Sequence, residues 1–347
     1  MDDVSTAARP TGETAGFANV GRIRWWQRGF FASQTAYVVL AFLIITMGIS
    51  LVADNFLSAE NLLRTSQNFS YVGIVALGAT LVIITGGIDL SVGSVMALTA
   101  VVTMILMKWF AETALAFVSM PLALLIGLVF AGLIGLINGV LIARLKLSPF
   151  VVTLGMLSVC RGLTYVITKG RSQAPGGPGV DSFYALTNGK LFGLPVPLVY
   201  LLLGAALMGF VLHHTAVGRH IFAIGGNERA AALTGVPVER RKITVYIVCS
   251  ITAGLAGILM SGWLGAAQAN LAQGYELTII AAAVIGGANL AGGTGGPIGA
   301  IVGAALIEVI RNGLVLAGAD SYWQTAIIGM IIIFAAIVDR LRSLRAT

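Results

Sequence analysis

The chain has 347 residues, 57% of them hydrophobic and only 10% charged, with a formal net charge of +7, and its mean hydropathy is +0.93. A soluble domain carries about 25% charged residues, so a water-soluble fold is excluded: this much apolar surface needs lipid around part of it. The positive charge does not indicate nucleic acid, because the basic residues are scattered between apolar runs and form no continuous stripe.

Residues 1–31 are polar and basic, with Arg9, Arg22, Arg24 and Arg28, and read as a cytoplasmic tail. The run 32–53 is long enough to cross a bilayer and no small-residue cleavage site follows it. It therefore reads as a first transmembrane helix rather than a removed leader. Nine further apolar runs lie near 69–86, 92–110, 120–143, 149–168, 195–213, 242–262, 276–289, 297–315 and 322–339. The run 276–289 is short and Gly-rich, and is expected to be broken or re-entrant. The runs are long and lack the alternation of barrel strands. The expected fold class is all-α, a polytopic membrane helical bundle of about ten transmembrane helices over 32–340, with a short C-terminal tail at 341–347.

Placing the N-terminus in the cytoplasm and threading ten spans puts fourteen of the 21 basic residues on the cytoplasmic side and five on the other. This is the bias expected of a membrane protein with both termini inside. Two connections are long: 214–241 in the cytoplasm and 169–194 outside, the latter carrying the turn-forming run QAPGGPG at 173–179.

Segments 75–97 and 279–305 echo each other, each an apolar run, a Gly-rich corner on the cytoplasmic side and a second apolar run. The first corner holds Gly86, Gly87, Asp89, Ser91 and Gly93; the second holds Gly286, Gly287 and Asn289. The echo is either an internal repeat of the kind transporters use or a coincidence in a chain with 44 glycines. Asp89 is expected to accept backbone N–H bonds at the start of the third span, as a conformational corner at the cytoplasmic mouth or as a plain cap.

No catalytic set emerges. There is no G-x-x-x-x-G-K-[ST] and no H-E-x-x-H, and the three histidines cluster at one boundary, His213, His214 and His220. The chain is thus expected to be no enzyme and to hold no metal or cofactor. Cys160 and Cys249 read as small core residues. Glu308 and Arg311 lie three apart on one helix face, as part of an aqueous path or as a structural ion pair. Arg161 stands alone in the fifth span, to snorkel, pair or line the path. Few polar residues fall in the spans, so no tight substrate site is expected. Gly135-x-x-x-Gly139 and Gly299-x-x-x-Gly303 permit close helix crossings within one subunit.

The cytoplasmic connection carries Gly226, Asn227, Glu228, Ala230, Ala231, Thr234 and Gly235. Asn227 is a good N-cap, residues 230–233 favour helix, and Gly235 and Pro237 stop it. A helix of about two turns over 227–235 follows, with a small-residue surface that another protein could grip.

Several of these stretches resemble one family. TGGIDLSVGS at 85–94, HHT at 213–215 with Gly218 and Arg219, GGNE at 225–228, GYEL at 274–277, and Gly286-Gly287 through LAGG at 290–293 are similar to ribose-type (monosaccharide) ATP-binding-cassette transporter permeases, the inner-membrane components of binding-protein-dependent transport. The match runs from about 35 to 340. The resemblance implies a ten-helix permease in the bacterial inner membrane that works as a pair, usually a homodimer. It implies a partner ATPase that binds Mg-ATP, gripping the coupling helix at 227–235, and a periplasmic sugar-binding protein docking on the 169–194 loop. The implied activity is import of a monosaccharide such as ribose, xylose, arabinose or galactose by alternating access, with a polyol, a nucleoside or a branched-chain amino acid as the alternative cargo. The reading from another class is an ion-coupled secondary transporter, for which Glu308 would supply the membrane carboxylate.

Overall fold

The structure, a computed structural model, describes residues 34–320 and, beyond them, 322–324, 326, 327, 329, 330 and 333. The predicted tails at 1–31 and 341–347 lie outside the described residues, as does most of the tenth predicted span. The element order is α1 (Gln34–Val52), α2 (Ala59–Ile84), α3 (Val92–Ala111), α4 (Ser119–Ala143), α5 (Pro149–Thr168), α6 (Val180–Asn188), a hairpin of β1 (Lys190–Leu191) and β2 (Leu194–Pro195), α7 (Val196–His214), α8 (Ala216–Gly226), α9 (Glu228–Leu233), α10 (Val238–Leu264), α11 (Tyr275–Ile285) and α12 (Pro297–Leu316). Seven of these helices are long and apolar enough to cross a membrane: α2, α3, α4 with the 3-10 turn before it, α5, α7, α10 and α12. The fold is an all-α polytopic bundle.

α2, α3 and α10 form its centre, and their apolar windows are mostly buried, whereas α5 and α7 turn most of theirs outward. α3 is buried on nearly every side, from Val92 through Val101, as a helix that is apolar all round should be. The exposed apolar side chains of α7, such as Leu203, Leu207 and Phe210, meet lipid rather than water and need no protein cover.

Glycine decides how close the helices come. A Cβ on Gly135 would press on the backbone of Tyr246 and Ile247, and one on Gly139 on the backbone of Ile243. The first G-x-x-x-G is therefore the seat of α10 on α4. The second does the same for α12 on α11: Gly299 and Gly303 face the backbone of Gly286 and Ala282. Both motifs are spent inside one subunit, as their spacing predicts.

The structure departs from the predicted spans at α2 and agrees with the expectation of a broken run at α11. α2 starts at Ala59 rather than near 69, with Ser58 as N-cap accepting from Asn61 N–H at 3.3 Å. Its first three turns are polar, so an apolar window passes over them. α11 has eleven residues, about 16 Å at 1.5 Å per residue, too short to span. The chain before it, 265–274, contains no helix and runs inward until Ala272 and Glu276 lie against Gly93 at the start of α3. Such backbone is tolerated at membrane depth only when protein encloses it, and Arg161 supplies part of the enclosure: Nη1 donates to Ala269 O at 2.7 Å and Leu271 O at 3.0 Å.

The remaining loop, 169–194, is more ordered than its glycines and prolines indicate. Gln173 and Ala267 exchange two backbone hydrogen bonds of 2.8 Å, and α6 buries Phe183 and Thr187, one turn apart on one face. This loop, the start of α2 and the end of α12 lie at one end of the bundle; α8 and α9 lie at the other.

Candidate functional site

Thr215, in an extended conformation, ends α7 and caps α8 by accepting from Gly218 N–H at 3.3 Å. Asn227 is extended in turn (φ −161°), breaks α8 from α9, and caps α9 by accepting from Ala230 N–H at 3.0 Å. At the far end Gly235 takes φ +83°, the left-handed conformation that lets the chain fold back, and Val236 N–H returns to Ala231 O at 3.1 Å. The result is a six-residue helix hydrogen-bonded at both ends. Lys242 at the start of α10 pairs with Glu228 at 2.5 Å, and Arg241 donates to His220 Nδ1 at 3.2 Å, tying α10 to α8. Gly226, Asn227, Glu228, Ala230, Thr234 and Gly235 are all exposed. Ala231 is not: it is 4% exposed and seats α9 on the protein's own body, while Leu233 projects at 90%. The sequence reading passed over Leu233, whose signal was a single large apolar residue closing a run of alanines. Beside α9 a cleft of about 520 Å3 separates it from the α4–α5 connection, with Arg229 and Glu239 on one wall and Lys146 and Pro149 on the other.

Immediately before α9 the helices of the core converge. Gly225, in the last turn of α8, lies against the carbonyl oxygen of Ile84 at the end of α2 and against Gly293. Gly293 N–H also donates to Ile84 O at 2.9 Å. Gly292 reaches both Gly225 O and the backbone N of Gly86. Asn289 closes its own corner by accepting from Ala291 N–H at 2.8 Å, and Gly287 turns the chain at φ +105°. The two Gly-rich corners of the sequence are thus in direct contact, and α8 is wedged onto both.

The family described as branched-chain amino acid transport system / permease component matches residues 61–336. The chain belongs to this family. The permease is 38% identical over 317 residues to the ribose import permease protein RbsC of Escherichia coli (strain K12), covering 91% of this chain and 96% of that one. It is 36% identical over 305 residues to RbsC of Bacillus subtilis (strain 168), covering 88% and 92%. It is 34% identical over 314 residues to the D-allose transport system permease protein AlsC of Escherichia coli (strain K12), covering 90% and 93%. No solved structure matches the chain. Membership of a permease family makes the chain a transport component and not an enzyme.

The permease does not keep all its predicted corner residues together. Asp89, Ser91 and Gly93 are not at the mouth, because after Gly87 the chain turns back into the bundle. Asp89 and Ser91 are fully buried, and Tyr246 hydroxyl lies above Gly87. Asp89 Oδ1 accepts from Ser91 N–H at 2.9 Å and Ser91 Oγ–H at 2.6 Å, and Asn138 Nδ2 donates to Ser91 Oγ at 3.1 Å. Ser91, rather than Asp89, is the N-cap residue of α3. Asp89 is the buried brace that fixes where α3 begins. Gly93 is small because Glu276 and the Ala272 carbonyl occupy the place of a side chain.

Glu308 and Arg311 lie at the opposite end of the permease from α9. Their atoms approach to 3.5 Å, and the Arg311 guanidinium sits 5.6 Å from the centre of the Tyr275 ring. A carboxylate neutralised in this way is poorly placed to carry an ion across on its own.

Proposed function

We propose that this chain is the membrane-spanning subunit of an ATP-binding-cassette importer for a monosaccharide, and that it works by alternating access in a bacterial inner membrane. The observation that carries the reading is the conjunction of its relatives with α9. Proteins named for import of ribose and transport of allose align over nine tenths of the chain, and α9 is a capped, exposed handle fixed onto the point where α2, α8 and the α11–α12 corner meet. In this proposal α9 is the coupling helix, seated on a partner ATPase that binds Mg-ATP. Closure of the ATPase pair moves α9, and α8 passes the displacement through Gly225 to the two Gly-rich corners. A second copy of the chain completes the pore. A periplasmic sugar-binding protein delivers the cargo to the 169–194 loop, whose hairpin tip, Phe192, is almost fully exposed. Both termini, α9 and the Gly-rich corners then lie on the cytoplasmic side.

The test is uptake of labelled monosaccharides into proteoliposomes holding the permease, its ATPase and the binding protein. Sugar accumulation is expected only with ATP inside the vesicle compartment that exposes the ATPase. Uphill uptake by the permease alone would overturn the proposal in favour of ion coupling.

A further inference from the structure

Two polar stripes face one another at the end away from α9. On α2 they are Asn61, Arg64 and Asn68; on α12 they are Glu308, Arg311 and Asn312. Asn61, Arg64 and Asn68 follow one another at three and four residues, and Arg311 and Asn312 lie three and four residues beyond Glu308, so each set occupies one helix face. Among the described residues the stripes enclose a cleft of about 610 Å3, closed on one side by Trp263 at the end of α10. That size lies within the range of about 300–1,000 Å3 typical of small-molecule sites.

The chemistry of the lining selects a class of ligand. Its charges are already matched: Arg64 pairs with Glu60 at 2.9 Å, and Arg311 with Glu308 at 3.5 Å. Each arginine of the cleft therefore already has a carboxylate partner, Glu60 lying just outside the lining, which weakens the pull on a phosphate, a carboxylate or a phospholipid headgroup. What remains are side-chain amides, each offering both donors and acceptors. Asn61 and Asn312 hold each other by two reciprocal bonds of 2.9 Å, which fixes both amide planes, and Asn68 faces Glu308. Gln67 donates to Tyr71 hydroxyl at 3.0 Å and to Asn188 at 2.8 Å. Trp263, half-exposed, presents an indole with an apolar face and one N–H. Paired amides, a neutralised carboxylate and an aromatic face suit a small uncharged polyhydroxylated ring. The bond from Gln67 to Asn188 joins the cleft to the end of α6, within the loop proposed above to receive the binding protein.

We infer that this cleft is a low-affinity monosaccharide site on the permease itself, a station that takes the sugar at the far end of the bundle before it enters the path; the inference rests on the carbohydrate-import reading. Polar side chains at membrane depth are retained where they meet water or a ligand. A site that must release its cargo onward has to bind weakly, with a dissociation constant on the order of 1 mM.

The experiment uses the permease reconstituted with its ATPase and binding protein, and labelled D-ribose, D-allose and L-arabinose as probes. Wild-type complex is first tested for uptake of each sugar. Asn312→Leu, Asn68→Leu and Trp263→Phe are then compared for uptake and for ATP hydrolysis stimulated by the loaded binding protein. The expected result is uptake lowered about tenfold or more with stimulated hydrolysis within about twofold of wild type, a split that a purely structural role would not produce. Trp263→Phe is half-exposed and keeps the apolar bulk, so it decides the matter if an asparagine variant fails to fold. Wild-type uptake of a sugar with all folded variants within about twofold overturns the cleft site and leaves the import reading intact. Wild-type failure to take up any of the three sugars, with leucine or a nucleoside carried instead, overturns the import reading and the site together.

Discussion

Gly225 rests directly on the carbonyl oxygen of Ile84, with no room between them for a methyl group. The same oxygen accepts from Gly293 N–H at 2.9 Å. One carbonyl thus joins the last turn of α8, the end of α2 and the corner between α11 and α12. In the proposed mechanism a displacement of α9 would reach the membrane helices through this contact. Gly225→Ala forces these backbones apart, and overpacking of this kind costs about 1–3 kcal/mol. The complex is expected to assemble and hydrolyse ATP, with sugar uptake lowered about tenfold in reconstituted vesicles. Normal uptake per ATP hydrolysed would show that force does not pass through Gly225.

Leu233 and Ala231 face opposite ways on α9, which lets folding and the proposed partner binding be tested apart. Leu233 is exposed, whereas Ala231 is packed under α9. Leu233→Asp is expected to leave the melting temperature of the isolated permease unchanged and to weaken ATPase binding by about 2 kcal/mol or more, as loss of a central apolar anchor does. Ala231→Leu is expected to do the reverse at first instance, lowering the stability of the 226–236 segment by about 1–3 kcal/mol through overpacking. Hydrogen exchange on the free permease and co-purification with the ATPase read the two effects apart. Equal loss of ATPase binding in both, with no change in exchange, would reverse the assigned faces.

Asn227 provides a local stability check. Its Oδ1 satisfies Ala230 N–H at 3.0 Å, in a helix too short to persist on its own. Asn227→Ala is expected to cost about 1 kcal/mol, seen as roughly fivefold faster amide exchange in 228–233, whereas Asn227→Ser retains protection. Unchanged exchange in the alanine variant would mean that the ion pair of Glu228 with Lys242 alone holds the helix.

The bundle was legible because lipid imposes a simple rule, long apolar helices with charges between them, and the boundaries of α3, α5 and α12 fall within about a residue of the apolar windows. α9 was legible for a different reason: cap, helix formers and Gly-Pro stop all fall within eleven residues, 227–237. What the windows could not show is polar helix. The first turns of α2 carry Asn61, Arg64 and Asn68, which lower the local hydropathy and resemble a loop until α12 supplies partners for the two asparagines. Depth was also hidden. Asp89 reads as a surface cap from its neighbours, and only the inward return of the chain after Gly87 buries it beside Asn138 and Tyr246. The partner of Arg161 could not be read either, because its partners are backbone carbonyls, which have no residue type to recognise.

That last contact gives the sharpest test of the re-entrant segment. Arg161 is the only side chain among the described residues seen to donate to Ala269 O and Leu271 O, and a hydrogen bond from a charged donor contributes about 1.5–3 kcal/mol. Arg161→Leu removes both bonds and leaves two carbonyls without a donor in surroundings where water is scarce, while keeping most of the apolar stem. The segment 265–274 is expected to loosen, Gly93 to lose its fixed neighbours Ala272 and Glu276, and the start of α11 to fray. A cysteine introduced at Ala269, which is buried, should then react with a membrane-impermeant maleimide several-fold faster than in the parent, and the melting temperature in detergent should fall by several degrees for a loss of this size. Arg161→Lys, a single point donor that cannot present a planar fork, should give an intermediate rate. Equal labelling in all three proteins would mean that 265–274 is held by the packing of α3, α10 and α11 alone, with Arg161 an onlooker.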